Sequence, residues 1–137
     1  MKITKSLVTD LSYEVIGAAI AVHKEIGPGL LESVYHECLK SELEDRGLNY
    51  KSELIIPVIY KGRNLDAKLR CDLLVEELLV VELKSVESVL TVHSAQLITY
   101  LKLLQKPKGI LINFNCSNIM KEGQKSLVTE LFRSLHD

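Results

Sequence analysis

Apolar positions near the start of the chain recur at three- and four-residue spacing. Leu11, Val15, Ile16, Ala19, Ile20 and Ile26, with His23 among them, predict a helix over residues 11–26. Thr9 or Asp10 is placed to cap it, and Gly27-Pro28-Gly29 ends it. A second stripe of Leu31, Val34, Tyr35, Cys38, Leu39 and Leu43 predicts a helix over 30–46, with Gly47 as its stop. The short turn between them makes the two helices neighbours.

The period then shortens to two. Residues 52–61 (SELIIPVIYK) are rich in branched side chains and read as a strand, with Pro57 marking an edge or a bulge. Gly62-Arg63-Asn64 reads as a turn. Residues 65–75 alternate, with Leu65, Ala67, Leu69, Cys71, Leu73 and Val75 on one face and Asp66, Lys68, Arg70 and Asp72 on the other. Residues 78–85 (LLVVELKS) begin apolar on both faces, as a doubly covered strand does. A third helix over 91–105 ends at Pro107 and Gly109, and residues 109–114 (GILINF) form a fourth buried strand. Past Ile119 two readings stay open: helical spacing from Ser126 to Leu135, or a short strand near Gln124–Val128.

This order, α-α-β-β-β-α-β with a tail, predicts an α/β fold. Three sequential strands form an antiparallel meander, the crossover helix sets the next strand parallel to a neighbour, and helices cover both faces of a mixed sheet. No repeat or Ser/Gly-rich linker divides the chain, so residues 1–137 read as a single domain.

Hydrophobic residues at 47% and charged residues at 26% describe a globular chain and exclude a disordered one. Cys38, Cys71 and Cys116 are odd in number and lack CxxC spacing, which argues against a disulfide framework or a structural zinc site. They read as buried small hydrophobes in a reducing, cytoplasmic setting. No signal-like segment and no run of ~18 apolar residues is present, so no membrane span is expected. A net charge of -1 disfavours a dedicated non-enzymatic nucleic-acid binder. A nuclease stays open, since local charge and bound metal differ from the average. The lack of Trp and 5% aromatic content disfavour a stacking platform for single strands.

The densest candidate chemistry lies in Val80-Val81-Glu82-Leu83-Lys84. Residues two apart in a strand share a face, so Glu82 and Lys84 follow Leu78 and Val80 on a face that turns from apolar to charged. A solvated Glu–Lys pair at a strand end is the plain alternative. An odd-length loop such as Glu76-Glu77-Leu78 would set Asp72 opposite Glu82, roughly 5 Å away at the Cα atoms. Two acids that close need a cation between them. Lys84 is one candidate, and a hard divalent ion such as Mg²⁺ is another, with the Leu83 carbonyl as a further ligand. Glu32 lies at the edge of the second helix's apolar stripe, near Tyr35, Leu39 and Leu43, or simply answers the helix macrodipole. Gln96, Tyr100 and His93 share a face of the third helix with Val92, Leu103 and Leu104. The four histidines show no HxxxH or HExxH spacing, and GxGxxG, GxxxxGK[ST] and GxSxG are absent.

Gly29-x-x-Glu32-x-x-Tyr35, then Asp72, Glu82-x-Lys84 and Gln96-x-x-x-Tyr100 together resemble the GxxExxY protein family of the PD-(D/E)XK nuclease-like superfamily. The later motifs resemble those of RecB-type nucleases. The resemblance covers about residues 11–128 and implies a restriction-endonuclease-like α-β-β-β-α-β core. It implies a nuclease that uses Mg²⁺ or Mn²⁺ and acts on DNA more than RNA, or a catalytically silent module that binds nucleic acid or a protein. Asp72 and Glu82 would bind the metal, with Glu32 acting on it directly or through water. Lys84 would position the attacking water or stabilise charge, and Tyr35, Gln96 and Tyr100 would orient the site or touch the substrate. His23 is a further candidate ligand. Cys71 stands where the superfamily name has proline. A domain this small is expected to need a homodimer or a partner to hold a duplex.

Overall fold

Thr4, rather than Thr9 or Asp10, caps the first helix in the computed structural model, which describes residues 2–137. The Thr4 hydroxyl accepts the Leu7 N–H at 3.1 Å, and α1 spans Lys5–Ile26. The apolar stripe starts a turn earlier than Leu11, because Val8 is fully buried. Gly27, at φ 72°, ends the helix and returns its N–H to the His23 carbonyl at 2.8 Å. Helix α2 spans Glu32–Asp45 and buries Tyr35, Leu39 and Leu43. Leu31 and Val34, expected in that stripe, are exposed. Leu31 precedes the helix in extended backbone, and Val34 points about 100° away from Tyr35.

The strands are β1 (Tyr50–Ile55), β2 (Val58–Tyr60), β3 (Arg63–Leu65), β4 (Arg70–Val75), β5 (Leu79–Lys84), β6 (Lys108–Asn113) and β7 (Gln124–Val128). Each of the long strands expected over 52–61 and 65–75 is therefore broken in two. Pro57 lacks an N–H for a ladder, and β2 and β3 pair with each other as a separate hairpin. Its turn is Lys61-Gly62, both at positive φ, instead of Gly62-Arg63-Asn64.

The remaining strands form one sheet in the order β1-β4-β5-β6-β7. The β1–β4–β5 meander is antiparallel, as the sequence predicts. Helix α3 (Thr91–Leu104) then carries the chain to β6, which runs parallel to β5. The tail forms both a strand, β7, and a short helix, α4 (Glu130–Arg133), after a π-turn at Ile119–Gly123. The expected mixed sheet with helices on both faces is present. Helices α1 and α2 pack on Leu73, Val81, Ile110 and Phe114. Helix α3 packs on Leu74, Val80 and Leu111 through Leu97, Tyr100 and Leu101. Val92, expected on that buried face, is exposed, one turn ahead of the contact. Of the three cysteines only Cys71 is fully buried, and Cys38 and Cys116 are half-buried. Among the described residues no helix is long and apolar enough to cross a membrane.

Gly109 lets α3 approach β6. A Cβ there would lie 2.8 Å from Leu97 Cδ1 and 3.2 Å from Leu101 Cδ1, and both leucines are fully buried. Gly109→Ala is expected to lower stability by about 1–3 kcal/mol in urea unfolding. A neutral effect would contradict the close packing.

Candidate functional site

The sheet ladder is interrupted at one position. Pairing of β4 with β5 runs Val75–Leu79, Leu74–Val80, Leu73–Val81 and stops. The next residues in register are Asp72 and Glu82, as the three-residue loop predicts. On its other side Asp72 also has no registered partner, because β1–β4 pairing skips from Ser52–Leu73 to Leu54–Cys71. The β1 residue at the skip, Glu53, is left-handed at φ 51°. The alternation of faces slips here too. Cys71 joins the core under α3 while Leu73 and Val75 join the core under α1, which corrects the single continuous face expected over 65–75.

Side chains fill this gap. Glu82 Oε1 accepts the Asp72 N–H at 3.1 Å, and Asp72 Oδ2 accepts the Leu83 N–H at 2.7 Å. Each carboxylate is thus held by the other strand's backbone, which fixes the pair without neutralising it. Glu82 is only 6% exposed. Burial first, and the Asp72 charge second, push its carboxyl up to about 8, while Lys84 pulls the other way.

Other predicted residues face the same pair. Glu32, the first residue of α2, is exposed at the surface, and partial desolvation of its carboxyl raises its pKa. It senses the Lys84 ammonium, which opposes the rise, the Asp72 charge, which adds to it, and His36 and His93, which oppose it. Tyr100 is buried, and its pKa is raised by burial and then by Glu82 and Asp72, so its hydroxyl stays protonated beside the acids. Cys71 is pushed up to about 12 by burial and the same two acids, which makes it an inert thiol. Gln96, one turn before Tyr100 on α3, is exposed, and its side chain makes no hydrogen bond to another described residue. Among the described residues no three His, Cys, Asp or Glu side chains are close enough together to hold an ion. Asp72 and Glu82 form a pair, and Glu32 stands apart from it with Lys84 in range of both sides.

Tyr35 and His23 have other engagements. Tyr35 is fully buried and stacks on Phe114 at 4.4 Å between ring centroids. Its hydroxyl donates to the Gly27 carbonyl at 2.6 Å and accepts the Leu30 N–H at 3.2 Å. The Ser85 hydroxyl donates to the Leu30 carbonyl at 2.6 Å, and the Phe114 N–H donates to the Lys84 carbonyl at 2.9 Å. These contacts fasten the turn before Glu32 to the ends of β5 and β6. Ser85 and Phe114 were not singled out from the sequence, where one merely follows Lys84 and the other closes an apolar run. His23 Nε2 pairs with the Cys116 carbonyl at 2.8 Å, so the ring is engaged with the segment after β6 and not with a carboxylate.

Between the ordinary carboxyl range and about pH 8 the native state keeps a proton on Glu82 that the unfolded chain has lost, so this group's contribution to stability falls as pH rises. Glu82→Gln retains an acceptor for the Asp72 N–H and carries no charge. Its stability relative to the parent, in chelator, is expected to rise by a few kcal/mol from about pH 5 to about pH 9, at ~1.4 kcal/mol per pKa unit. A difference that stays flat across that range would contradict a buried, uncompensated pair.

Comparison with known proteins identifies the family. A family profile described as the PD-(D/E)XK nuclease superfamily matches residues 9–127, a span that contains Glu32, Asp72, Glu82, Lys84, Gln96 and Tyr100. No curated protein and no solved structure matches the chain significantly. The profile spans most of the chain, its fold is the mixed α/β arrangement described above, and the acid pair and lysine sit on adjacent strands inside the match: the chain belongs to the PD-(D/E)XK nuclease superfamily.

Proposed function

We propose that this protein is a single-domain, divalent-metal-dependent nuclease of the GxxExxY type that hydrolyses phosphodiester bonds in DNA in preference to RNA, in the cytoplasm. Nucleases of the superfamily are generally divalent-metal dependent. The observation that carries the reading is the Asp72–Glu82 pair, two acids fixed side by side with Lys84 two residues on. One oxygen of each acid, Glu82 Oε1 and Asp72 Oδ2, accepts a backbone N–H, and the two carboxyls share a hydrogen bond while Glu82 holds its proton. Oxygen-only, with Glu82 buried and Asp72 half-buried and with Lys84 the one nearby cation among the described residues, this donor set fits Mg²⁺ or Mn²⁺.

Asp72 and Glu82 would hold the ion. When bound, it supplies charge that offsets the acids and acidifies a coordinated water. Glu32, set apart from the pair, acts through water. Lys84 adds a fixed cation at the strand end, where phosphoryl charge develops or the attacking water lies. The protonated Tyr100 hydroxyl is a donor beside the acids. Gln96, exposed a turn earlier, orients the substrate backbone. Tyr35 acts by orienting the Glu32 turn and does not touch substrate. The preference for DNA is supported by the likeness of the later motifs to RecB-type nucleases, and the small size of the domain favours a homodimer on duplex.

Calorimetric titration with Mn²⁺ and Mg²⁺, alongside cleavage assays on duplex, single-stranded and branched DNA and on RNA, tests the reading. Asp72→Asn and Glu82→Gln are expected to abolish ion binding and cleavage. Lys84→Met is expected to keep ion binding and lose roughly 10²–10³ in kcat. Binding of nucleic acid with no cleavage of any substrate would assign the chain to a catalytically silent nuclease-fold module.

A further inference from the structure

The hairpin β2–β3 is unexplained by the fold or by the acid site. Two three-residue strands pair only with each other, and an isolated two-stranded ribbon is marginal in water. Apolar side chains are nevertheless left in solvent along it, with Ile59 66% and Tyr60 58% exposed. Around them lie Lys61, Arg63, Lys68 and Arg70, against one acid, Asp66, between Val58 and Arg70. All four cations are exposed. Among the described residues none of them forms an ion pair, whereas Arg46, Lys40 and Lys51 do. Lys61 instead lies 5.4 Å from the Tyr60 ring centroid. The arm stands off the sheet across a groove of about 360 Å³ that includes Ile55, Leu65 and Lys68.

Electrostatics gives this arm a partner. The chain as a whole carries a net charge of -1, so it has no general attraction for a polyanion. The acid site presents three carboxyl groups and one cation, Lys84, and so offers phosphate little hold of its own. Binding therefore requires a local cationic grip close to that site, and the arm feeds directly into it, since β4 starts at Arg70 two residues before Asp72. Resting on the nuclease reading for its geometry, we propose that the β2–β3 hairpin is a nucleic-acid grip. Lys61, Arg63, Lys68 and Arg70 contact backbone phosphates of the same strand or duplex that Asp72 and Glu82 engage, and Ile59 and Tyr60 pack on its sugars.

Fluorescence anisotropy with labelled duplex and single-stranded DNA in EDTA, over a series of salt concentrations, separates the possibilities. Neutralising Lys61 and Arg63 together (K61A/R63A) is expected to weaken binding several-fold regardless of sequence. It should also lower the slope of log affinity against log salt by about 2 on duplex, at ~0.9 per phosphate contact. The same charge change at exposed lysines elsewhere (K24A/K102A) should leave both quantities near the parent values. Equal effects from the two variants, or no effect from K61A/R63A, would overturn the grip. So would the absence of any DNA binding by the parent protein. A dimer seen by analytical ultracentrifugation and lost in I59S/Y60S, with DNA binding intact, would assign the arm to a second copy and also overturn the proposal. Arm-dependent binding without cleavage in Mg²⁺ would keep the grip and sink the nuclease reading. Cleavage with arm-independent binding would do the reverse.

Discussion

Asp72 and Glu82 stand in for backbone partners where β4 and β5 part. A regular antiparallel ladder at this point would satisfy its own N–H groups and leave side chains free to turn outward. Here the Asp72 and Leu83 N–H groups are satisfied by carboxylates, so both acids are drawn into the plane of the sheet and lose much of their hydration. Hydrogen bonding to the charged form eases that loss only in part, and Glu82 remains well above the usual carboxyl range. The sheet tolerates the gap because strong packing surrounds it. Leu73, Leu74, Val80, Val81 and Leu83 are all at most 2% exposed.

The rest of the site is held against this pair by contacts that are not themselves chemical. Glu32 comes from a helix far away in the chain, and a short turn must place it to within a fraction of a side-chain length. Tyr35 bridges the two ends of that turn, Phe114 backs the tyrosine, and Ser85 pins Leu30 beside the last residue of β5. Removing the Tyr35 hydroxyl alone leaves the ring stack in place, so the cost falls on the turn's geometry more than on the core. The acids thus sit in the sheet, and the turn that carries Glu32 is held by the aromatic stack and its hydrogen bonds.

Much of this was legible in the chain. Periodicity placed both long helices, the meander and the parallel crossover; the opposition of Asp72 to Glu82 followed only for a loop centred on Glu77, which no Asn-Gly or Asp-Gly turn fixes and which the Val75–Leu79 pairing supplies. The N-terminal turn of α1 was missed since Lys5 and Ser6 interrupt the stripe before Val8. The broken strands at 52–61 and 65–75 were missed for a different reason: composition records β-preference but not the sheet a strand joins, and β2 is as branched as a core strand yet pairs only with β3. Tyr35 and His23 carried no signal of their partners, which are backbone carbonyls and leave no trace in sequence.

The chemistry of the site depends on the acid pair being short of positive charge. Calorimetry with Mn²⁺ in two buffers of different ionisation heat, near pH 7, reads this as protons. Burial and the Asp72 charge raise the Glu82 carboxyl to about 8, so near pH 7 ion binding should displace its proton and release protons to the buffer. No binding, or binding with no proton released, would contradict it.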